Sequence, residues 1–231
     1  MSRTFRNAVL LAAAVGIAHV GIFANGSSAP AGPSAGSSSL PSMTPEERAV
    51  EAYRNGDNHR VKGRKLEDEA AAKKGSDADK ATAKARSEFE KSLKDFTNAA
   101  KLNPKLFQAY NGMGYAYRKT GDYAKALEMY DQAIKMAPGF FPEAVEYRAE
   151  AYLALNRMDD ARQAYLDLFA ADRKQADILM AAMKSWVAAH QADAGGVAPE
   201  AVSEFEKWIG ERDGLAKQTR LMGVSNRYSG W

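Results

Sequence analysis

Apolar residues recur at helical spacing along the chain from residue 44 to residue 220. They stand three or four residues apart, and the strict alternation that marks β-strands does not occur in this stretch. Thr44, Pro45 and Glu47 predict the start of the first helix, because Thr44 and Glu47 can form a capping box around a proline at the first helical position. The pattern therefore predicts an all-α fold.

The most regular part of this pattern lies between residues 107 and 138. Small residues, Gly114 and Ala126, stand where two helices would cross, and large side chains surround them. Gly121 suits a left-handed turn between the helices, and a proline ends the second helix. The positions that build this hairpin are Tyr110, Met113, Gly114, Tyr117, Ala126, Tyr130, Ala133 and Pro138.

This arrangement resembles the tetratricopeptide repeat, a helix–turn–helix unit of 34 residues. The same positions recur 35 residues downstream in Ala149, Tyr152, Ala161 and Tyr165. The resemblance covers residues 44–173 and implies about three repeats, stacked as a right-handed solenoid of helix pairs. It also implies a concave face, lined by the first helix of each pair, that binds peptides or protein segments.

The first repeat is longer than the others. Tyr53 and Phe96 are 43 residues apart, whereas Tyr110 and Tyr130 in the regular repeat are only 20 apart. The additional residues are rich in Ala, Lys and Glu, which favour helix, and Gly75 supplies a break between two helices. We therefore expect both helices of the first repeat to extend by about three turns and to project as a hairpin.

Two further amphipathic patterns follow the repeats, over residues 174–220. Trp186 lies on the apolar face of the first pattern and Trp208 belongs to the second, which begins at Pro199. Because the last repeat of a solenoid needs a cover for its apolar surface, these patterns predict capping helices. Residues 221–231 are predicted to form a flexible tail.

The first 43 residues differ in composition from the rest. Arg3 and Arg6 precede an apolar run over residues 8–24, and no acidic residue occurs before Glu46. This order is typical of an export segment, and residues 1–24 are predicted to be either a signal peptide cleaved after Ala24 or an uncleaved inner-membrane anchor. Residues 25–43 are mostly Gly, Ser, Ala and Pro, which predicts a disordered linker. The folded part is thus expected in the periplasm.

Composition argues against several classes of function. The chain has no cysteine, which removes disulfides, thiol nucleophiles and thiolate metal sites. His19, His59 and His190 have no neighbours at metal-ligand spacing, and no phosphate-binding loop or nucleophile–base pair occurs. We therefore expect no metal, no cofactor and no catalysis. The 32 basic residues face 29 acidic ones, a balance that argues against nucleic-acid binding.

Candidate partner-binding residues lie between the packing positions of the first helices, so we expect them to point away from the paired helix and to be exposed together on the concave face. They are Gln108, Asn111, Tyr115 and Arg118 in the second repeat, and Glu143, Glu146 and Glu150 in the third. Some chaperone-binding members of the repeat family hold a C-terminal carboxylate with Lys, Asn and Arg at these places, whereas this chain has glutamates. The glutamates predict either a solvated acidic face or a groove that prefers Lys or Arg beside aromatic residues.

The sequence thus predicts a non-enzymatic scaffold of the bacterial cell envelope that binds a protein or peptide in the concave groove. The alternative is a periplasmic chaperone or assembly factor for an envelope complex, which would use the same surface. The extended hairpin around Gly75 is the competing binding surface, because its lysines could contact a partner or the membrane.

Overall fold

The structure, a computed structural model, describes residues 43–228, with side chains up to residue 220. Within that range the chain forms eight α-helices and no β-strand, so the predicted all-α fold is confirmed. The helices are α1 (Pro45–Ala71), α2 (Ser76–Leu102), α3 (Phe107–Thr120), α4 (Tyr123–Met136), α5 (Pro142–Ala154), α6 (Met158–Ala171), α7 (Arg173–Ala192) and α8 (Pro199–Tyr228).

Local capping explains where several of these helices begin and end. The Thr44 hydroxyl accepts from the Glu47 amide at 3.2 Å, and the Thr44 amide donates to the Glu47 carboxylate at 2.8 Å. Gly121 ends α3 with a left-handed φ of 90°. Asp172 ends α6 and also caps α7, because its carboxylate accepts from the Gln175 amide at 3.1 Å. The chain therefore passes from α6 to α7 without a loop.

The first hairpin is longer than the second, as the sequence predicts. Helices α1 and α2 have 27 residues each, whereas α3 and α4 have 14. Glycines keep the long pair closely packed, since a Cβ at Gly63 would lie 2.5 Å from the ring of Phe89 on α2. The buried Ser92 hydroxyl also donates to the Gly56 carbonyl at 2.8 Å, which joins the two helices.

The second and third hairpins pack around small residues. A Cβ at Gly114 would lie 2.7 Å from the ring of Tyr130, which is fully buried. The small residues at the crossings, Ala126, Ala133, Ala149 and Ala161, are also fully buried. Tyr165 is buried in the third hairpin, whereas Tyr110, Met113, Tyr117 and Tyr152 are half-buried around the crossings.

Helices α7 and α8 form a fourth, antiparallel hairpin that covers the third. Lys184 on α7 forms an ion pair with Asp213 on α8 at 2.9 Å. Nearer the start of α7, Asp177 forms an ion pair with Arg220 on α8. Trp186 is buried and donates from Nε1 to the Leu153 carbonyl at 2.8 Å, which fixes α7 against α5. The predicted capping role of these two helices is therefore confirmed.

Helix α8 continues to Tyr228, so the predicted flexible tail of residues 221–231 begins within a helix. The sequence contains no proline between residues 200 and 228 that would end it. Gly210, Gly214 and Gly223 lower helix propensity, each by about 1 kcal/mol, but they retain their backbone hydrogen bonds. The loss of apolar periodicity after residue 220 therefore did not mark the end of the helix.

The helices α1, α3, α5 and α7 contact one another in series and form one layer, while α2, α4 and α6 flank it. We call the surface formed by the side chains of α1, α3 and α5 on this layer the inner face. Among residues 43–228, no helix is long and apolar enough to cross a membrane. The predicted export segment, residues 8–24, lies outside the described residues, as does the linker up to residue 42.

A candidate binding site on the inner face

Charged side chains from three helices meet on the inner face around two tyrosines, Tyr115 and Tyr147. Helix α1 contributes from its elongated half, α3 from its last turns and α5 along its whole length. We call this group the charged cluster, and its members are Asp57, Arg60, Arg64, Glu67, Arg118, Lys119, Glu143, Glu146 and Glu150.

Aromatic rings form the centre of the charged cluster. Tyr115 and Tyr147 are packed edge to face, with their ring centroids 5.0 Å apart. Three cationic groups lie near the ring of Tyr115, namely those of Arg60 at 5.4 Å, Arg118 at 5.1 Å and Lys119 at 5.6 Å. Cations near ring faces are attracted by the ring quadrupole, so Tyr115 helps to hold like charges together.

Arg118 links α3 to two other helices. Its guanidinium pairs with Glu150 on α5, and its Nε donates to the hydroxyl of Tyr130 on α4 at 3.3 Å. Arg118 is buried, and removing either partner would leave a buried charge short of a hydrogen bond. We therefore assign Arg118 mainly a positioning role within the cluster.

Lys119 links α3 to the elongated part of α1. Its Nζ lies 2.8 Å from the Glu67 carboxylate, and both side chains are largely buried. Burial lowers the pKa of Lys119, and the nearby Arg118 lowers it further, whereas Glu67 opposes both effects. The ion pair with Glu67 thus favours the charged form of Lys119 next to Arg118.

Glu146 is the least satisfied member of the charged cluster. Its residue is only 1% exposed, and its Oε1 atom has no hydrogen-bond partner. Burial raises the pKa of Glu146 to about 7, although Arg118 opposes the shift. Asn111, on the neighbouring helix α3, is also buried, and its Oδ1 atom likewise lacks a partner. The inner face therefore contains two buried acceptor atoms without donors.

Glu143 lies at the rim of the charged cluster, and its side chain is 42% exposed. Its contact with Arg60 is long, 3.9 Å, because Arg60 binds Asp57 more closely at 2.6 Å. Glu143 and Glu146 are three residues apart on α5 and therefore neighbours on one helix face. The partly exposed carboxylate of Glu143 therefore lies one helical turn from the buried carboxylate of Glu146.

The structure corrects the expectation that the candidate residues are exposed together. Asn111, Tyr115, Arg118 and Glu146 are buried, and only Gln108 and Glu143 remain partly open, while Glu150 is held by Arg118. The physical reason is the elongated first hairpin. Its extra turns place Arg60, Arg64 and Glu67 beside Tyr115 and Lys119 and so cover them.

The sequence interpretation missed the contribution of α1 to this site. Arg60, Arg64 and Glu67 are spaced at i, i+4 and i+7, which places them on one face of a helix. That spacing was a usable signal, but the extension was interpreted only as a separate projecting hairpin. Lys119 was likewise not among the candidate residues, although it lies in the last turn of α3 next to Arg118.

The charged cluster resembles a binding surface more than a reaction centre. Its cations and carboxylates are mostly paired with each other, and Tyr115 is buried among them while Tyr147 is half-buried. In the part of the chain that the structure describes, no group of three or more His, Cys, Asp or Glu side chains could hold a metal ion. The cluster can provide charged groups and hydrogen-bond acceptors to a bound partner.

Two family models match this chain, and both are described as tetratricopeptide repeat. One matches residues 111–177 and the other residues 78–138. Together with the eight-helix architecture, these matches show an all-α solenoid of the tetratricopeptide-repeat type. Helix α1, which supplies part of the charged cluster, lies outside both matches. The comparison with curated proteins gives no match.

Proposed function

We propose that this chain is a non-enzymatic scaffold that binds a peptide or protein segment on its inner face. Tetratricopeptide repeats are generally protein–protein interaction modules, and they are typically non-enzymatic. The observation that carries the proposal is the charged cluster itself. Burying so many charges is a poor way to stabilise a fold, since apolar residues of similar size often serve as well or better.

Two residues mark where a partner would first contact the inner face. Gln108 is half-buried near the start of α3, and Glu143 is partly exposed near the start of α5. Phe107 and Phe141 stand beside them, packed edge to face with centroids 5.3 Å apart. Polar groups beside aromatic rings are typical of recognition surfaces, which combine apolar contact with orienting hydrogen bonds.

Partner capture by two variants tests this proposal. The rim variant carries Gln108→Ala and Glu143→Ala, which leave the buried ion pairs intact. The matched variant changes four exposed lysines of the hairpin tip, Lys73, Lys74, Lys80 and Lys84, to Ser. We expect loss of capture by the rim variant and normal capture by the tip variant. The reverse result would move the binding site to the hairpin and contradict the proposal.

We further propose that the folded part acts outside the inner membrane, in the periplasm. The support is the basic start, the apolar run over residues 8–24 and the acid-free linker that follows. A reporter that is active only after export, fused after Trp231, should be active in the bacterium that makes this protein. Activity of the corresponding cytoplasmic reporter alone would contradict export.

A further inference from the structure

Buried acceptors without donors are rare in folded proteins, and the inner face has two. At least nine in ten buried polar groups have a hydrogen-bond partner, so each exception needs an explanation. The Oε1 atom of Glu146 and the Oδ1 atom of Asn111 are such exceptions, on adjacent helices of one layer. Both atoms accept hydrogen bonds, so the missing partner is a donor.

The charge balance of the charged cluster indicates that the missing donor is positively charged. The cluster contains four cationic side chains and five carboxylates, so it lacks one positive charge when every carboxylate is ionised. Asp57, Glu67 and Glu150 are in short ion pairs. The two carboxylates outside these pairs are Glu143 and Glu146, one turn apart on α5.

We propose that Glu146, with Glu143 at the entrance, binds a single lysine or arginine side chain of the partner segment. This inference rests on the proposed function and specifies the chemistry of its partner. The cationic group passes Glu143 at the rim and donates to Glu146 Oε1 inside. It thereby satisfies the orphaned acceptor and completes the charge balance of the cluster.

The surroundings of the rim indicate what flanks the cationic residue. Phe141 precedes Glu143 by two residues and packs against Phe107, and the neighbouring Phe140 is 50% exposed. A partner with an apolar or aromatic residue next to its cation would cover these rings. A partner that presents a carboxylate would instead meet Glu143 and Glu146 and be repelled.

Binding of a cation should also release a proton. In the free protein, burial raises the pKa of Glu146 to about 7, so part of the population is protonated at neutral pH. The groups that face Glu146 are Arg64 from α1, Arg118 and Lys119 from α3, Tyr130 from α4, and Glu143 and Tyr147 from its own helix. A bound cation favours the ionised form, so affinity should rise about tenfold between about pH 6 and about pH 8.

The experiment measures binding of four matched sets of short peptides to the full chain. All have blocked ends and a central residue between two phenylalanines, and the sets differ only in that residue: lysine, arginine, norleucine or glutamate. We expect the lysine or arginine set to bind at least about tenfold more tightly than the norleucine set, because norleucine has neither a charge nor a side-chain donor for ionised Glu146. The glutamate set should bind least.

Two variants separate ligand binding from structural effects. Glu146→Gln should abolish the preference for a cation and the dependence of affinity on pH. Glu128→Gln removes an exposed carboxylate on α4 and should change neither. Thermal melts establish that both variants are folded, and the pH dependence is a result that a purely structural role of Glu146 would not produce.

The outcomes distinguish this inference from the proposed function. Equal binding of the lysine, arginine and norleucine sets overturns the inference, as does an unchanged preference in Glu146→Gln. If such unselective binding is lost in the rim variant, the proposed function stands while the inference fails. Absence of binding by every set overturns the inference, and the capture experiment then decides the proposed function separately.

Discussion

At the scale of single residues, the buried carboxyl group of Glu146 makes the stability of the folded chain depend on pH. Its pKa is about 7 in the folded chain, above the value of 4.5 of a free glutamate, so between these values the folded state retains a proton that the unfolded state has released. Stability therefore falls as the pH rises from about 4.5 through about 7, and remains lower above it.

The variant Glu146→Gln should not show this decrease in stability with rising pH. Relative to the parent chain, we expect it to gain stability with rising pH, by on the order of 3 kcal/mol above about pH 8. Urea unfolding across that pH range measures the difference, with Glu128→Gln as the exposed control. Parallel pH profiles of the parent and Glu146→Gln would show that Glu146 is not a desolvated carboxyl group.

Gly114 is a residue whose small size the packing of the second hairpin requires. A Cβ at this position would approach the fully buried ring of Tyr130 to 2.7 Å, which is closer than such contacts normally come. We expect Gly114→Ala to lower the free energy of unfolding by about 1–3 kcal/mol through overpacking. Denaturant melts provide the measurement.

The chain offers a matched control for that substitution. Gly210 lies in α8, is exposed, and has nothing within 4 Å of an added Cβ. Gly210→Ala should therefore stabilise the chain by roughly 0.5–1 kcal/mol through helix propensity alone. A similar response of both glycines would mean that α3 and α4 do not cross at Gly114.

At the scale of elements, the elongated first hairpin shows what the sequence could and could not predict. The interval between Tyr53 and Phe96 predicts the length of α1 and α2, because helix length follows from periodicity within one segment. The contact of Glu67 with Lys119 depends on how the first hairpin packs against α3. That geometry arises from packing between distant segments, so periodicity carried no information about it.

The same limit explains why the predicted solvent exposure of the candidate site residues was wrong. The register of α3 places Gly114 against the ring of Tyr130, where the structure has it. It does not reveal that Tyr115 is covered by Arg60 from a helix more than fifty residues earlier. Residues that build the hairpins were therefore easier to predict than the solvent exposure of those between them.

The coupling between the first two hairpins can be measured directly. Glu67→Gln and Lys119→Met each remove one side of the largely buried ion pair, and the double variant removes both. We expect a coupling energy of about 1–2 kcal/mol from the double-mutant cycle, because each single change leaves its partner charge short of a counterion. Strict additivity would mean that the extension of α1 does not contact α3.

At the scale of the whole molecule, four hairpins in series place one continuous layer of helices on the inner face. The outer helices carry exposed charges, such as Glu128, whereas the inner layer concentrates charge around Tyr115 and Tyr147. This asymmetry between the layers is the main reason to locate partner binding on the inner face rather than on the outer helices or the hairpin tip.

Site-specific photo-crosslinking in the cells that make this protein tests that assignment most directly. A photoreactive residue replaces Phe140, which is 50% exposed at the rim of the inner face, Glu128 on the outer helix α4, or Lys74 at the hairpin tip. We predict a discrete crosslinked product from Phe140 and none from the other two positions. Products from Glu128 or Lys74 alone would contradict partner binding on the inner face.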